Sequence, residues 1–162
     1  MSEQKKHNNI EDVIIEILDK ELQPNALKLA AYLDENQLIP NMSAHGKIPF
    51  NGHNIGWMQI VKNGKWVFEI FNFLDFGDFS DEDEDFCKIV HDHVKLCPTP
   101  CHDECWRAKD VKVFGKEFKS VCSQHSRAFI NPDEKTIEHI KKLIEYSKKT
   151  KPYPQQYHPN HL

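Results

Sequence analysis

Cys97, Cys101 and Cys105 recur at every fourth position in Cys97-Pro-Thr-Pro-Cys101-His-Asp-Glu-Cys105, and Cys122 follows in the same 26 residues. Thiolates are soft ligands, and a closed set of four is what zinc takes in structural sites. The spacing therefore marks Cys97, Cys101, Cys105 and Cys122 as candidate ligands, with structural zinc as the cofactor. Gaps of three between cysteines also suit an iron–sulfur cluster. Without metal, the same residues would be reduced thiols or a redox pair. His93, His102 and His125 can each replace one cysteine; His93 lies one helical turn before Cys97 on the same face. Cys87, beside Phe86, reads as a small core or boundary residue.

Two features of the chain bring the thiols together. If Pro100 begins a helical turn, Cys101 and Cys105, four apart, share one face. A hairpin over 111–121 returns the chain to its start, so Cys122 comes back to within a few residues of Cys105. Gly115-Lys116 is expected as its turn, with Val113 facing Phe118.

The elements around this cluster follow from spacing and punctuation. Asn9 can cap a first helix with Ile10, Val13, Ile14, Ile17, Leu18 and Leu22 at helical intervals, and Pro24 is expected to interrupt it. A second helix is expected over about 25–35. Residues 40–56 read as loop with one short strand. Residues 57–61 and 66–70 flank Asn63-Gly64, the signature of a two-residue hairpin turn. That turn would pair Val61 with Trp66, Gln59 with Phe68 and Trp57 with Ile70, gathering the aromatic side chains on one buried face.

Ser80 is expected to cap a third helix that buries Phe86, Ile89, Val90, His93, Val94 and Cys97. The acids Asp81 to Asp85 lack the ligand alternation and central glycine of a calcium loop and suit a helix N-terminus instead. Asn131-Pro132-Asp133-Glu134 predicts a last helix, with Asn131 as cap. Together these elements predict a compact α+β domain over 10–150, with a small antiparallel sheet, a hairpin at Asn63-Gly64, a second near Gly115 and about four helices. Residues 1–9 are expected to be disordered and 151–162 to form a flexible tail.

Composition bounds the function. No apolar run reaches the ~20 residues of a membrane helix, and the polar N-terminus lacks a signal-peptide core. A cytoplasmic location is expected, where clustered cysteines, odd in number, favour metal over disulfides. The net charge of -4 divides unevenly: residues 1–105 hold 9 Lys/Arg against 19 Asp/Glu, and residues 106–162 hold 12 against 6. Arg107, Lys109, Lys112, Lys116 and Lys119 make a nucleic-acid-binding module one alternative, but the pI of 6.2 argues against it.

Phe114-Gly115-Lys116-Glu117-Phe118, then Val121-Cys122, Phe129-Ile-Asn131-Pro132-Asp133 and the helix from Ile137 resemble a family of small bacterial proteins without assigned activity. In that family a cysteine-rich segment precedes these motifs. The resemblance spans most of 25–148, and the element order is similar to YjbR-like α+β domains. Neither implies a reaction.

Three functions are compatible with these residues. The first is a non-enzymatic binding or regulatory module stabilised by zinc, taking an unknown ligand or protein near Trp57, Trp66 and Phe68. The second is a metal- or thiol-dependent enzyme, in which three cysteines leave a metal position open and His102, Asp103 or Glu104 acts as base. Nucleic-acid binding is the third. No phosphate loop, nucleophile elbow, His-Glu-x-x-His or Cys-x-x-Cys motif occurs, which favours the first.

Overall fold

Asn9 takes extended backbone and its side-chain oxygen accepts from Asp12 N at 2.8 Å, so helix α1 (Ile10–Ile17) starts where the sequence placed it. Helix α2 (Gln23–Glu35) carries Pro24 in its first turn. The proline therefore opens the second helix rather than cutting the first, because its missing N–H is one the first turn cannot use. The computed structural model describes residues 9–40, 46–61, 64–74, 84–97, 108–122 and 126–150. Ser80 and residues 1–8 and 151–162 lie outside them, so the third-helix cap and the two expected flexible ends carry no structural account.

The chain is an α+β protein. Strands β1 (Lys47–Phe50), β2 (His53–Val61), β3 (Lys65–Ile70) and β6 (Ala128–Ile130) form an antiparallel sheet in the order β1-β2-β3-β6. Strands β4 (Ala108–Val113) and β5 (Lys116–Cys122) form a separate hairpin. Helix α3 (Glu84–His93) precedes that hairpin, and α4 (Glu134–Lys149) follows β6. No helix among the described residues is long and apolar enough to cross a membrane.

Both expected hairpins differ in register from the sequence expectation in an informative way. Val61 pairs with Lys65, so the β2–β3 connection has three residues, 62–64, and Gly64 sits at φ 68. A three-residue loop ending in a left-handed glycine competes directly with the two-residue form. The slip of one residue moves side chains to opposite faces. Met58 now faces Phe68 and Ile60 faces Trp66, while Trp57 faces Glu69.

The two-residue Asn-Gly turn occurs earlier, at Asn51-Gly52, with φ of 45° and 83° between the paired residues Phe50 and His53. Strand β1 and the first four residues of β2, 53–56, thus occupy the stretch expected to be loop with one short strand. In the second hairpin the turn is Phe114-Gly115, at φ 44° and 79°, and Val113 faces Lys116 while Val111 faces Phe118. Phe114 holds this unfavourable backbone because its ring is buried, 5.2 Å from Phe86 and 5.4 Å from Tyr146.

One sheet face is covered by helices. Met58, Trp66, Phe68 and Phe129 join Ile14, Leu29, Leu33, Phe86, Ile137, Ile140 and Ile144 in one core. Asp133, not Asn131, caps α4, accepting from Thr136 N at 2.8 Å. Asn131 has another task. At φ 44° it ends β6 by exchanging two hydrogen bonds with Trp66: its side-chain Oδ1 accepts from Trp66 N (2.8 Å) and its backbone N–H donates to the Trp66 carbonyl (2.9 Å).

Candidate functional site

Helix α3 stops at His93, and Val94 N donates back to His91 O at 3.2 Å. Ser126 then holds the chain: its hydroxyl accepts from Lys95 N at 2.8 Å and donates to Lys95 O at 3.2 Å. Anchored there, residues 95–97 run beside β5 and meet it in one isolated antiparallel bridge. Cys97 N donates to Ser120 O at 2.7 Å and Cys122 N donates to Lys95 O at 2.9 Å, on either side of the bridge between Leu96 and Val121.

Cys97 and Cys122 are therefore diagonal neighbours across one bridge. Cys97 is half-buried and Cys122 is buried. On its other edge Cys122 pairs with Ala108, which follows Cys105 by three positions in the chain. Cys101, Cys105, His102 and His125 lie outside the described residues. Among the described residues no three His, Cys, Asp or Glu side chains gather as a metal-binding group.

Strand β5 reaches Cys122 through an irregular register. Lys109 faces Val121 but Val111 faces Phe118, leaving Ser120 at φ 53. Asp110 stabilises the bend, accepting from Ser120 N at 3.0 Å and pairing with Lys119 Nζ at 2.9 Å. These bonds hold the Asp110 carboxyl below its usual range, the Lys119 contact most.

His93 does not complete a three-ligand group with these cysteines. Its ring lies flat on Phe129, with centroids 3.9 Å apart and planes within 2°, and meets Phe73 edge-on at 5.6 Å. Burial pushes its pKa down to about 4, against the opposing effect of a backbone bond at Ala128. The ring is neutral near pH 7, and its buried Nε2 has no hydrogen-bond partner among the described residues. Cys87 packs half-buried against the core, as expected for a boundary residue.

The expected aromatic ligand face is divided by the register. Trp66 and Phe68 are fully enclosed beneath the helices. Trp57 lies on the outer face, in the row Lys47, Trp57, Glu69 and Ala128. There Glu69 Oε2 is 2.8 Å from Arg127 Nε, and the Arg127 guanidinium stands 5.5 Å from the Phe71 ring. Burial raises the Glu69 carboxyl above its usual range, against the lowering by the Arg127 charge and the Trp57 indole N–H. A lone glutamate in a strand reads as solvent-facing, so nothing in the sequence marked this buried pair.

The hairpin lysines do not form an unbroken basic stripe. Lys119 is paired with Asp110, Lys116 lies 5.0 Å from the Phe118 ring, and Glu117 intervenes. Compared with known proteins, the chain matches no family model, no curated protein and no solved structure.

Proposed function

We propose that the chain is a small cytoplasmic binding or regulatory module, non-enzymatic, whose α+β fold is stabilised by zinc held by Cys97, Cys101, Cys105 and Cys122. The observation that carries this reading is the diagonal placement of Cys97 and Cys122 across the Leu96–Val121 bridge. Diagonal neighbours on an antiparallel pair are separated by about 7–8 Å, and a disulfide is strained when its Cα atoms are more than about 7 Å apart. Two thiolates each about 2.3 Å from a tetrahedral zinc need sulfurs only about 3.8 Å apart. The spacing thus suits a shared cation better than a disulfide.

Chain length allows the other two ligands. Cys101 is four residues from Cys97, a span of at most about 14 Å, and Cys105 is three from Ala108, at most about 11 Å. Zinc at such a site supplies folding free energy, because the unfolded chain does not hold the ligands together.

The test is zinc content and thiol reactivity of untagged protein purified without chelator, for wild type, Cys101→Ser and Cys122→Ser. About one zinc per chain, lost together with the fold in either variant, is expected. Reactive thiols without metal would overturn the zinc reading. Zinc kept by an intact variant would point instead to an open coordination position and to the enzyme alternative.

A further inference from the structure

Residues 93–97 form a strap between the two sheets. On one side they bond β5 through backbone groups, Cys97 N to Ser120 O and Cys122 N to Lys95 O. On the other side 93–95 lie antiparallel to 126–128 along the outer edge of β6, with His93 opposite Ala128 and Lys95 opposite Ser126. Here the fastenings are of a different kind. A ring nitrogen of His93 bonds the Ala128 backbone, and the Ser126 hydroxyl holds both backbone groups of Lys95. Among the described residues no strand ladder joins the strap to β6. Two side chains stand in for it.

Of the two, only His93 titrates. Its ring lies against Phe129 at 3.9 Å and Phe73 at 5.6 Å, and a second proton would arrive at Nε2, which meets no acceptor among the described residues. The charge that acts on the ring is Lys95, of like sign, on the strap itself. Arg127, beside Ala128, is engaged by Glu69 on the outer face of the sheet. On α3, Asp92 is exposed and His91 is held at Val113 O, and residues 71–74 bring no charged group. Among the described residues no carboxylate compensates an imidazolium here, and a buried charge without a partner is costly.

From this arrangement we propose that the strap carries an acid-sensitive clasp: a proton entering His93 lifts 93–95 off β6, while the backbone bonds at Cys97 and Cys122 keep the strap on β5. Lifting it bares the Phe129 ring and the edge of β6 at Ala128, and unpaired strand edges accept further strands. The ring titrates near pH 4 in place and near 6.5 when exposed. The lifted state therefore gains on the closed one as pH falls between those limits.

Amide exchange of the full chain, resolved by residue with NMR and corrected for its intrinsic pH dependence, tests this at pH 7 and pH 5. Protection of the Lys95 N–H, which donates to Ser126, should fall about twentyfold between them. Low urea should leave that exchange unchanged, because a local opening exposes little surface. Lys95 exchange that quickens with urea in step with 57–61 and 65–70 would show that the strap leaves only when the whole chain unfolds, and would overturn the clasp. This comparison needs wild type alone. The Cys97 and Cys122 N–H groups should stay better protected than Lys95 at pH 5; equal exposure of all three would show that the strap does not stay on β5. His93→Phe keeps the stack on Phe129 and takes up no proton, so the fall at Lys95 should disappear. A fall as large as in wild type would remove His93 from the clasp and overturn it.

Discussion

Arg127 and Glu69 face each other at 2.8 Å with side chains only 8% and 11% exposed. Each is buried on the strength of the other. Replacing Arg127 with Met leaves an uncompensated carboxylate and should lower unfolding free energy by roughly 3–5 kcal/mol, whereas the double change to Glu69→Leu/Arg127→Met should be near neutral. Urea denaturation of wild type, Glu69→Leu, Arg127→Met and the double variant gives the coupling, and equal losses in the Arg127→Met and double variants would contradict it. His93 makes the opposite kind of demand. Its folded pKa of about 4 lies below the unfolded value of 6.5, so the unfolded chain binds more protons between those limits. The stability His93 contributes is full above about pH 6.5 and is lost as pH falls towards about 4. Between pH 7 and pH 5 that loss is about 2 kcal/mol. His93→Phe keeps the stack on Phe129 and should remove this part of the acid sensitivity; a denaturation midpoint as pH-dependent as wild type would count against it.

At the level of elements, apolar spacing and turn residues identified all four described helices and the strands of the two expected hairpins, but not β6 or the start of β2, because burial imposes the 3.6 and 2 periods whatever the partners are. Registers were not legible. Asn63-Gly64 and Asn51-Gly52 are the same dipeptide, yet the first lies in a three-residue loop and the second forms the two-residue turn. Which of them closes tightly depends on whether Trp66 or Trp57 can enter the core, a question for the whole sheet. Two glycines in this sheet are needed for different reasons. A Cβ on Gly56 would sit 2.2 Å from Glu69 O on the neighbouring strand, but one on Gly52 meets nothing within 4 Å and only strains φ 83. Gly56→Ala should therefore cost about 1–3 kcal/mol through forced separation of β2 and β3, and Gly52→Ala about 1 kcal/mol. Thermal denaturation should rank them in that order.

Across the whole molecule, one arrangement recurs: aromatic residues divide between a helix-covered face and an outer face of the same sheet. The hairpin return of Cys122 was legible from Gly115. That 95–97 would bridge to β5 was not, since Ser126 fixes it through side-chain bonds with no sequence signature. The outer-face pair was equally hidden, because Glu69 and Arg127 are 58 positions apart. The division of the aromatics has an optical consequence. Trp66 is enclosed in apolar surroundings, while the Trp57 indole stands beside a carboxylate, so one sheet carries a fluorophore of different polarity on each side. In a Trp106→Phe background, their two emission bands form a built-in spectral ruler of how the opposite sides of one sheet come apart.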